Sequence, residues 1–259
     1  MTILEQLAEH AKKRVEESKR NKSLEEIKAE ALGLPKGDFS FEKALSKKDL
    51  AFICEVKKAS PSKGIIVQDF DYLAIAKDYE RAGADCISVL TEPKWFLGSD
   101  QYLKEITSTV NIPCIRKDFT VDEYMIYEAK VLGASAVLLI CAILSEEQIK
   151  EYIRICDSLG ISALVEAHDA DEVQIAMKAG ARIIGVNNRN LKDFTVDTNN
   201  SKELKAEIPE DVIYVSESGI RDAADVQVLR EAGVDAVLIG ETLMRAEDKT
   251  EKLKELKGE

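Results

Sequence analysis

Histidine is scarce in this 259-residue chain. His10 and His168 are the two present, and neither belongs to an H-E-x-x-H pattern or any other set with ligand spacing, so no metal site is predicted. The five cysteines, Cys54, Cys86, Cys114, Cys141 and Cys156, include no C-x-x-C pair. Most lie inside apolar runs, where a thiol behaves as a small hydrophobe, and buried free thiols are expected rather than a disulfide framework. A Walker loop and a G-x-G-x-x-G turn are both missing, which removes the common glycine-rich nucleotide cradles. Positive charge is outnumbered, with 36 Lys and Arg against 48 Asp and Glu. A net charge of −12 disfavours nucleic acid as a partner, because phosphate backbones are bound by clustered Lys and Arg that release counterions. The N-terminus scatters Glu5, Glu9, Lys12, Lys13, Arg14, Glu16 and Glu17 among its apolar residues and so lacks the unbroken apolar stretch of a signal peptide or membrane helix. A cytoplasmic protein with no membrane partner is the expectation.

What the chain does contain is a recurrence of short apolar runs. They fall at residues 51–56, 84–90, 112–115, 134–140, 161–165, 181–186, 212–215 and 236–239. Each has the length of a strand buried on both faces, as parallel sheets require. Helical spacing fills the gaps, with S/T-x-x-E/Q capping boxes predicted at Thr120–Glu123 and Ser145–Gln148. A weak repeat sharpens the alternation. Ala82-Gly83-Ala84, Leu132-Gly133-Ala134, Ala179-Gly180-Ala181 and Ala232-Gly233-Val234 each precede an apolar run. The glycine there suits a helix C-terminal cap feeding the next strand. Eight strand–helix units in one domain over residues 1–259 predict an α/β fold, a (βα)8 TIM barrel with an N-terminal helical extension over residues 1–46. An open doubly wound sheet is the alternative, since strand signals alone do not show closure. The extension carries two helical patterns, Thr2–Asn21 and Ser23–Leu32, read either as a surface cap or as a lid over a substrate mouth.

In barrels, chemistry sits at the C-terminal ends of strands, where polar residues here interrupt apolar runs. The first run ends Cys54-Glu55-Val56-Lys57. Strand alternation sends Glu55 and Lys57 to one face and Cys54 to the other. Lys117 and Phe119 share a face after the third run, Glu166 ends the fifth, and Asn187 and Arg189 pair after the sixth. His168, two residues past Glu166 at an Asp-rich helix start, is given a capping or solvent role. The last two runs end Ser216-Glu217-Ser218-Gly219 and Ile239-Gly240-Glu241-Thr242. Glycines there let backbone N–H groups approach a ligand, the arrangement of a phosphate cradle after strands 7 and 8.

These residues resemble the indole-3-glycerol phosphate synthase family. Glu55-Val56-Lys57-Lys58-Ala59-Ser60-Pro61-Ser62 is similar to its long E-x-K-x-x-S-P-S signature. The likeness continues through Leu90-Thr91-Glu92, Trp95-Phe96, Arg116-Lys117-Asp118-Phe119, Leu164-Val165-Glu166, Gly185-Val186-Asn187-Asn188-Arg189 and Ser216-Glu217-Ser218-Gly219. The resemblance implies a carboxy-lyase of tryptophan biosynthesis, acting without a cofactor on one small-molecule substrate, 1-(2-carboxyphenylamino)-1-deoxyribulose 5-phosphate. It implies catalytic roles for Glu55, Lys57, Lys117, Glu166, Asn187 and Glu217. Lys117 would be the general acid, its pKa lowered by burial or by Lys57. Glu166 would stabilise positive charge on the anilino nitrogen, Glu55 and Lys57 would serve dehydration, and Asn187 would orient sugar hydroxyls. Arg189 would hold the anthranilate carboxylate. Ser60, Ser218, Gly219, Gly240 and Glu241 would form the phosphate end, and Pro61, Phe96, Phe119, Leu138 and Leu191 the aromatic pocket. Glu241 departs from relatives that carry a small residue there, so only backbone N–H contacts are implied at that point. A monomer is expected.

Two other functions compete. A phosphoribosylanthranilate isomerase would need a cysteine and an aspartate as acid and base, but Cys54 faces away from Glu55 and Lys57. A barrel that merely binds a sugar phosphate would not need carboxylates facing an anionic ligand.

Overall fold

The structure, a computed structural model, describes residues 2–47, 49–190 and 194–259. Eight parallel strands form the barrel: β1 (Ala51–Val56), β2 (Cys86–Leu90), β3 (Cys114–Lys117), β4 (Ala136–Ile140), β5 (Ser162–Ala167), β6 (Ile183–Asn187), β7 (Ile213–Glu217) and β8 (Ala236–Ile239). Closure comes from β1 pairing in parallel with β8, with Ala51 opposite Ala236 and Ile53 opposite Leu238. The open-sheet alternative is thereby excluded. A two-stranded hairpin, Ala59–Ser60 with Gly64–Ile65, follows β1.

Strand alternation divides the buried side chains into two sets. One points outward to the helices and includes Phe52, Cys54, Ile87, Val165 and Tyr214. The other fills the barrel with Ala51, Ile53, Cys86, Ile115, Ala136, Leu138, Leu164, Ile183, Val215 and Leu238. Register keeps the inner set together. Ile53 lies opposite Cys86, Leu164 opposite Ile183, and Glu166 opposite Gly185. The five cysteines are buried and free.

The repeated glycines cap helices. Gly83, Gly133, Gly180 and Gly233 have φ between +75° and +86°. The N–H of the residue after each reaches back five positions: Ala84 to Tyr79 O, Ala134 to Ala129 O, Ala181 to Ala176 O and Val234 to Leu229 O. This is the Schellman pattern. It explains why several apolar runs begin two residues before the strand, since the residue after each glycine is buried in the turn. The capping box at Ser145 forms as expected. The one at Thr120 does not: Asp122 caps Glu123–Val131, accepting from Tyr124 N, and Thr120 is buried.

The N-terminal extension reaches both ends of the barrel. Helix α1 (Ile3–Asn21) buries Leu7, Ala8, Ala11 and Val15 and lies over the C-terminal mouth. Arg14 grips the buried Asp118 with two hydrogen bonds of 3.0 and 2.6 Å, and His10 Nδ1 stands 3.1 Å from Glu92 Oε1. Helix α2 (Leu24–Gly33) packs on Glu123–Val131. A short helix absent from the sequence expectation, α3 (Ser40–Leu45), plugs the other end. Its Phe41 and Leu45 are fully buried in the inner cluster, and Glu42 N–H donates to Ser162 Oγ at the start of β5. The chain reaches that position through close contact at Gly37, where a Cβ would come within 2.3 Å of Gly160 O.

Candidate active site

The C-terminal mouth opens into a cavity of about 580 Å³, within the size range of small-molecule sites. Its wall contains Glu55, Lys57, Ser60, Pro61, Phe96, Lys117, Phe119, Leu138, Glu166, Asn187, Arg189, Glu217, Ser218, Gly219, Gly240 and Glu241. Every site residue named from the sequence is therefore brought to one hollow, except Leu191, which lies outside the described residues. Alternation and register cause this convergence. Glu55, Lys117, Glu166, Asn187 and Glu217 occupy the last inward position of β1, β3, β5, β6 and β7.

At the centre is Lys117. Its Nζ stands 3.5 Å from Glu217 Oε2 and 3.8 Å from Glu166 Oε2. Burial acts to lower its pKa, but attraction to Glu217, Glu166 and Glu55 outweighs it and drives the pKa above the ordinary lysine value. This corrects the lowered pKa expected from sequence. Lys57 does not depress it, because Lys57 Nζ is 2.5 Å from Glu55 Oε1 and its charge is spent there. Burial would raise the Glu55 pKa, yet Lys57 and Lys117 hold it below the usual range, and Ser88 Oγ donates to Glu55 Oε2 at 3.4 Å. Glu217 behaves in the opposite way. Burial, aided by repulsion from Glu166 and Glu55 and only partly offset by Lys117, pushes it up to about 7. Its Oε1 has no hydrogen-bond partner among the described residues and sits where a Cβ on Gly185 would fall, 2.2 Å away. Gly185 is what gives that carboxyl room.

Gly240 has a similar purpose. A Cβ there would lie 2.3 Å from Glu55 Oε1 and 2.8 Å from Lys57 Nζ. Beside it, Glu241 collects cations: Arg245 Nε at 3.0 Å, Lys63 Nζ at 3.6 Å and Arg189 Nη2 at 3.9 Å. Burial would raise the Glu241 pKa, but Arg245, Lys63 and Arg189 lower it. Ser218 and Gly219 both take positive φ, +69° and +86°, which turns the backbone after β7 into the cavity wall. Asn187 Oδ1 accepts from Arg189 N–H at 3.0 Å. On the apolar side, the rings of Phe96 and Phe119 lie 6.1 Å apart at a 41° tilt, with Leu138 below in the inner cluster.

Several groups escaped the sequence reading. Ile3 and Leu7 wall the cavity from α1, and Lys63, Arg221 and Arg245 bring further positive charge to its rim. Ser88 lies in phase with the inward positions of β2, a usable signal. His168 is the main correction. Asp169, not His168, caps Ala170–Ala179, and the imidazole is mostly buried, with Nε2 3.4 Å from Glu166 Oε1. Among the described residues no group of three or more His, Cys, Asp or Glu side chains is placed to hold a metal, and no helix is long and apolar enough to cross a membrane.

Three buried carboxylates and two ammonium groups gathered at the C-terminal end of a closed parallel barrel define a (βα)8-barrel enzyme with acid–base chemistry. Solved structures agree on the fold. A 3-hexulose-6-phosphate synthase from Salmonella typhimurium superposes with a TM-score of 0.65 at 14% identity, covering 81% of this chain and 97% of its own. Thiamine phosphate pyrophosphorylase from Pyrococcus furiosus does so with 0.61 at 16% identity, covering 84% and 96%. Sequence relatives are far nearer. Indole-3-glycerol phosphate synthase from Ruminiclostridium cellulolyticum is 58% identical, with 99% of each chain covered. The protein of that name from Thermoanaerobacter pseudethanolicus is 48% identical, again over 99% of both. The model of the indole-3-glycerol phosphate synthase family matches residues 4–256, and the chain belongs to that family of carboxy-lyases of tryptophan biosynthesis.

Proposed function

We infer that this protein closes the indole ring on 1-(2-carboxyphenylamino)-1-deoxyribulose 5-phosphate, releasing carbon dioxide and water to give indole-3-glycerol phosphate. The observation that carries the reading is the single ammonium of Lys117 facing Glu166 and Glu217 across a cavity with an aromatic side and a cationic rim. In the first step the ring carbon bearing the carboxylate attacks the ribulose ketone, and the carbonyl oxygen becomes an alkoxide. Lys117, fully protonated at neutral pH, donates to that oxygen. The carboxylates around Lys117 keep it charged, so its ammonium stabilises the oxyanion as it forms, and the alkoxide is basic enough to take the proton. Glu166 balances the positive charge left on the anilino nitrogen, an effect strengthened by burial. Loss of carbon dioxide then restores the aromatic ring.

Dehydration follows, with the new hydroxyl leaving as water and a proton leaving the adjacent sugar carbon. Glu55, paired with Lys57, serves this step. Glu217, with its pKa near neutrality, holds or releases a proton beside Lys117. Asn187 orients sugar hydroxyls, Arg189 holds the anthranilate carboxylate, and Phe96, Phe119, Leu138 and Pro61 enclose the aromatic ring. Ser60 and the backbone at Ser218, Gly219 and Gly240 take the phosphate, with Glu241 arranging the surrounding cations rather than touching it. The enzyme acts as a cytoplasmic monomer and needs no cofactor. The test is fluorescence detection of indole-3-glycerol phosphate from the purified protein and synthetic substrate. Absence of product, with the protein folded, would sink the reading.

A further inference from the structure

His168 stands between two carboxylates of different roles. Its Nδ1 is 3.0 Å from Glu172 Oε2, and the same oxygen accepts the His168 backbone N–H at 2.8 Å. On the other side, Nε2 makes no hydrogen bond among the described residues and points toward Glu166 Oε1 at 3.4 Å. The second oxygen of Glu166 faces Lys117. Glu166 is thus held between two nitrogens, one on each oxygen. The segment is itself tied down, since Asn200 Nδ2 donates to the His168 carbonyl at 3.1 Å. His168 also divides two hollows. Glu166 lines the main cavity, whereas His168 and Glu172 line a second one of about 560 Å³ that shares Asn187 and Arg189 with the first.

We propose that His168 is a positioning residue for this reaction: anchored by Glu172, its imidazolium fixes the orientation of the Glu166 carboxylate opposite Lys117. The proposal rests on the assignment of Glu166 to the synthase reaction. The local pairing supports it. Lys57 is taken up by Glu55, so Glu166 and Glu217 share the one ammonium of Lys117. A cationic imidazole gives Glu166 a second positive partner. The charged groups around the ring are mostly acidic: Glu166 on β5, Asp169 and Glu172 at the following helix, and Glu217 on β7. Glu5 of α1 and Asp197 line the second cavity, where Arg189 is the cation nearby. Burial opposes protonation, but Glu172, Glu166 and Glu217 raise the imidazole to about 9, so it is cationic at neutral pH.

Two measurements test this. With two histidines in the chain, an NMR titration of the imidazoles, with His10→Gln to assign them, reads His168 without needing turnover. A midpoint near 9 that falls in Glu172→Gln is expected. An ordinary midpoint near 6.5 overturns the clamp. In steady-state kinetics, His168→Gln should lower kcat about tenfold with KM within about twofold, the split expected of a residue that orients a reacting group without binding substrate. His168→Arg, which keeps the charge, should recover most of the lost kcat. An unchanged kcat in His168→Gln overturns the proposal. A wild-type protein that makes no indole-3-glycerol phosphate overturns the reading of function instead, and the titration tells the two failures apart.

Discussion

The two ends of this barrel are built from the same strands and closed by the same N-terminal extension, yet by opposite chemistry. At the N-terminal end, α3 inserts the uncharged side chains of Phe41 and Leu45 among Ala51, Ile53, Ile183 and Ala236, with its Glu42 paired to Arg182 outside that apolar plug. At the C-terminal end, α1 is fastened by ion pairs, and the inward layer becomes Glu55, Lys117, Glu166, Asn187 and Glu217. Burying three carboxylates is unfavourable unless cations and hydrogen bonds compensate. The apolar end therefore supplies stability that the charged end consumes, and substitutions at the two ends should separate folding from function.

The largest effect should come at the charged end. Lys117→Ala and Glu166→Gln should each cut kcat by about 10³-fold or more while leaving the far-UV spectrum and cooperative melting intact. Near-normal turnover in either would remove the role assigned here. Phe41→Ala should do the reverse, costing about 3–5 kcal/mol in urea unfolding with little change in turnover per folded molecule. A loss of kcat without a loss of stability would show that the plug is not separate from the site. Arg14→Ala leaves Asp118 buried beside Lys117 without its main partner and should cost about 3 kcal/mol. Burial would raise the Asp118 pKa, but Arg14 holds it low, so the pair's contribution is present at neutral pH and fades as pH falls below the carboxylate range. The Arg14→Ala deficit should therefore shrink in acid.

Glu217 has the opposite linkage sign. Its folded-state pKa is raised from 4.5 to about 7, so the stability it contributes is full below the unfolded value and lost as pH rises through neutrality. Glu217→Gln should then stabilise the protein at pH 8 by up to about 3 kcal/mol and far less at pH 4.5, while lowering turnover. A pH-independent change in Tm would contradict that assignment. The smallest effect is expected at Gly219, where φ is +86° and a Cβ would lie 2.7 Å from Thr198 Cγ2 and Val196 Cγ1. Gly219→Val should raise KM about tenfold, roughly 1.4 kcal/mol, with kcat less affected. Unchanged KM would remove the backbone after β7 from the phosphate end.

Much of the site was legible because strand periodicity is a local rule. Glu55 and Lys57 two apart, Asn187 and Arg189 two apart, and the glycines after the last two strands all announce a shared face without any knowledge of the fold. Helix caps were less legible. Asp122 displaced Thr120 as a cap because several side chains near a helix start compete for the same N–H groups. The lysine pKa was misread for a related reason. Lys57 lies near Lys117, but the sign of its influence depends on Glu55, which neutralises it, and on Glu217 and Glu166, which come from strands far along the chain.

The amino-acid sequence by itself determined the order of strands and helices, the inward and outward faces, and the residue types available at each strand end, because propensity, alternation and capping act over a few residues. Closure through β1 and β8, the insertion of α3, the ring of three carboxylates around one lysine, and the seat of His168 between Glu166 and Glu172 were decided by tertiary structure. Charge interactions depend on distance through space and on burial, and neither is defined until distant segments meet.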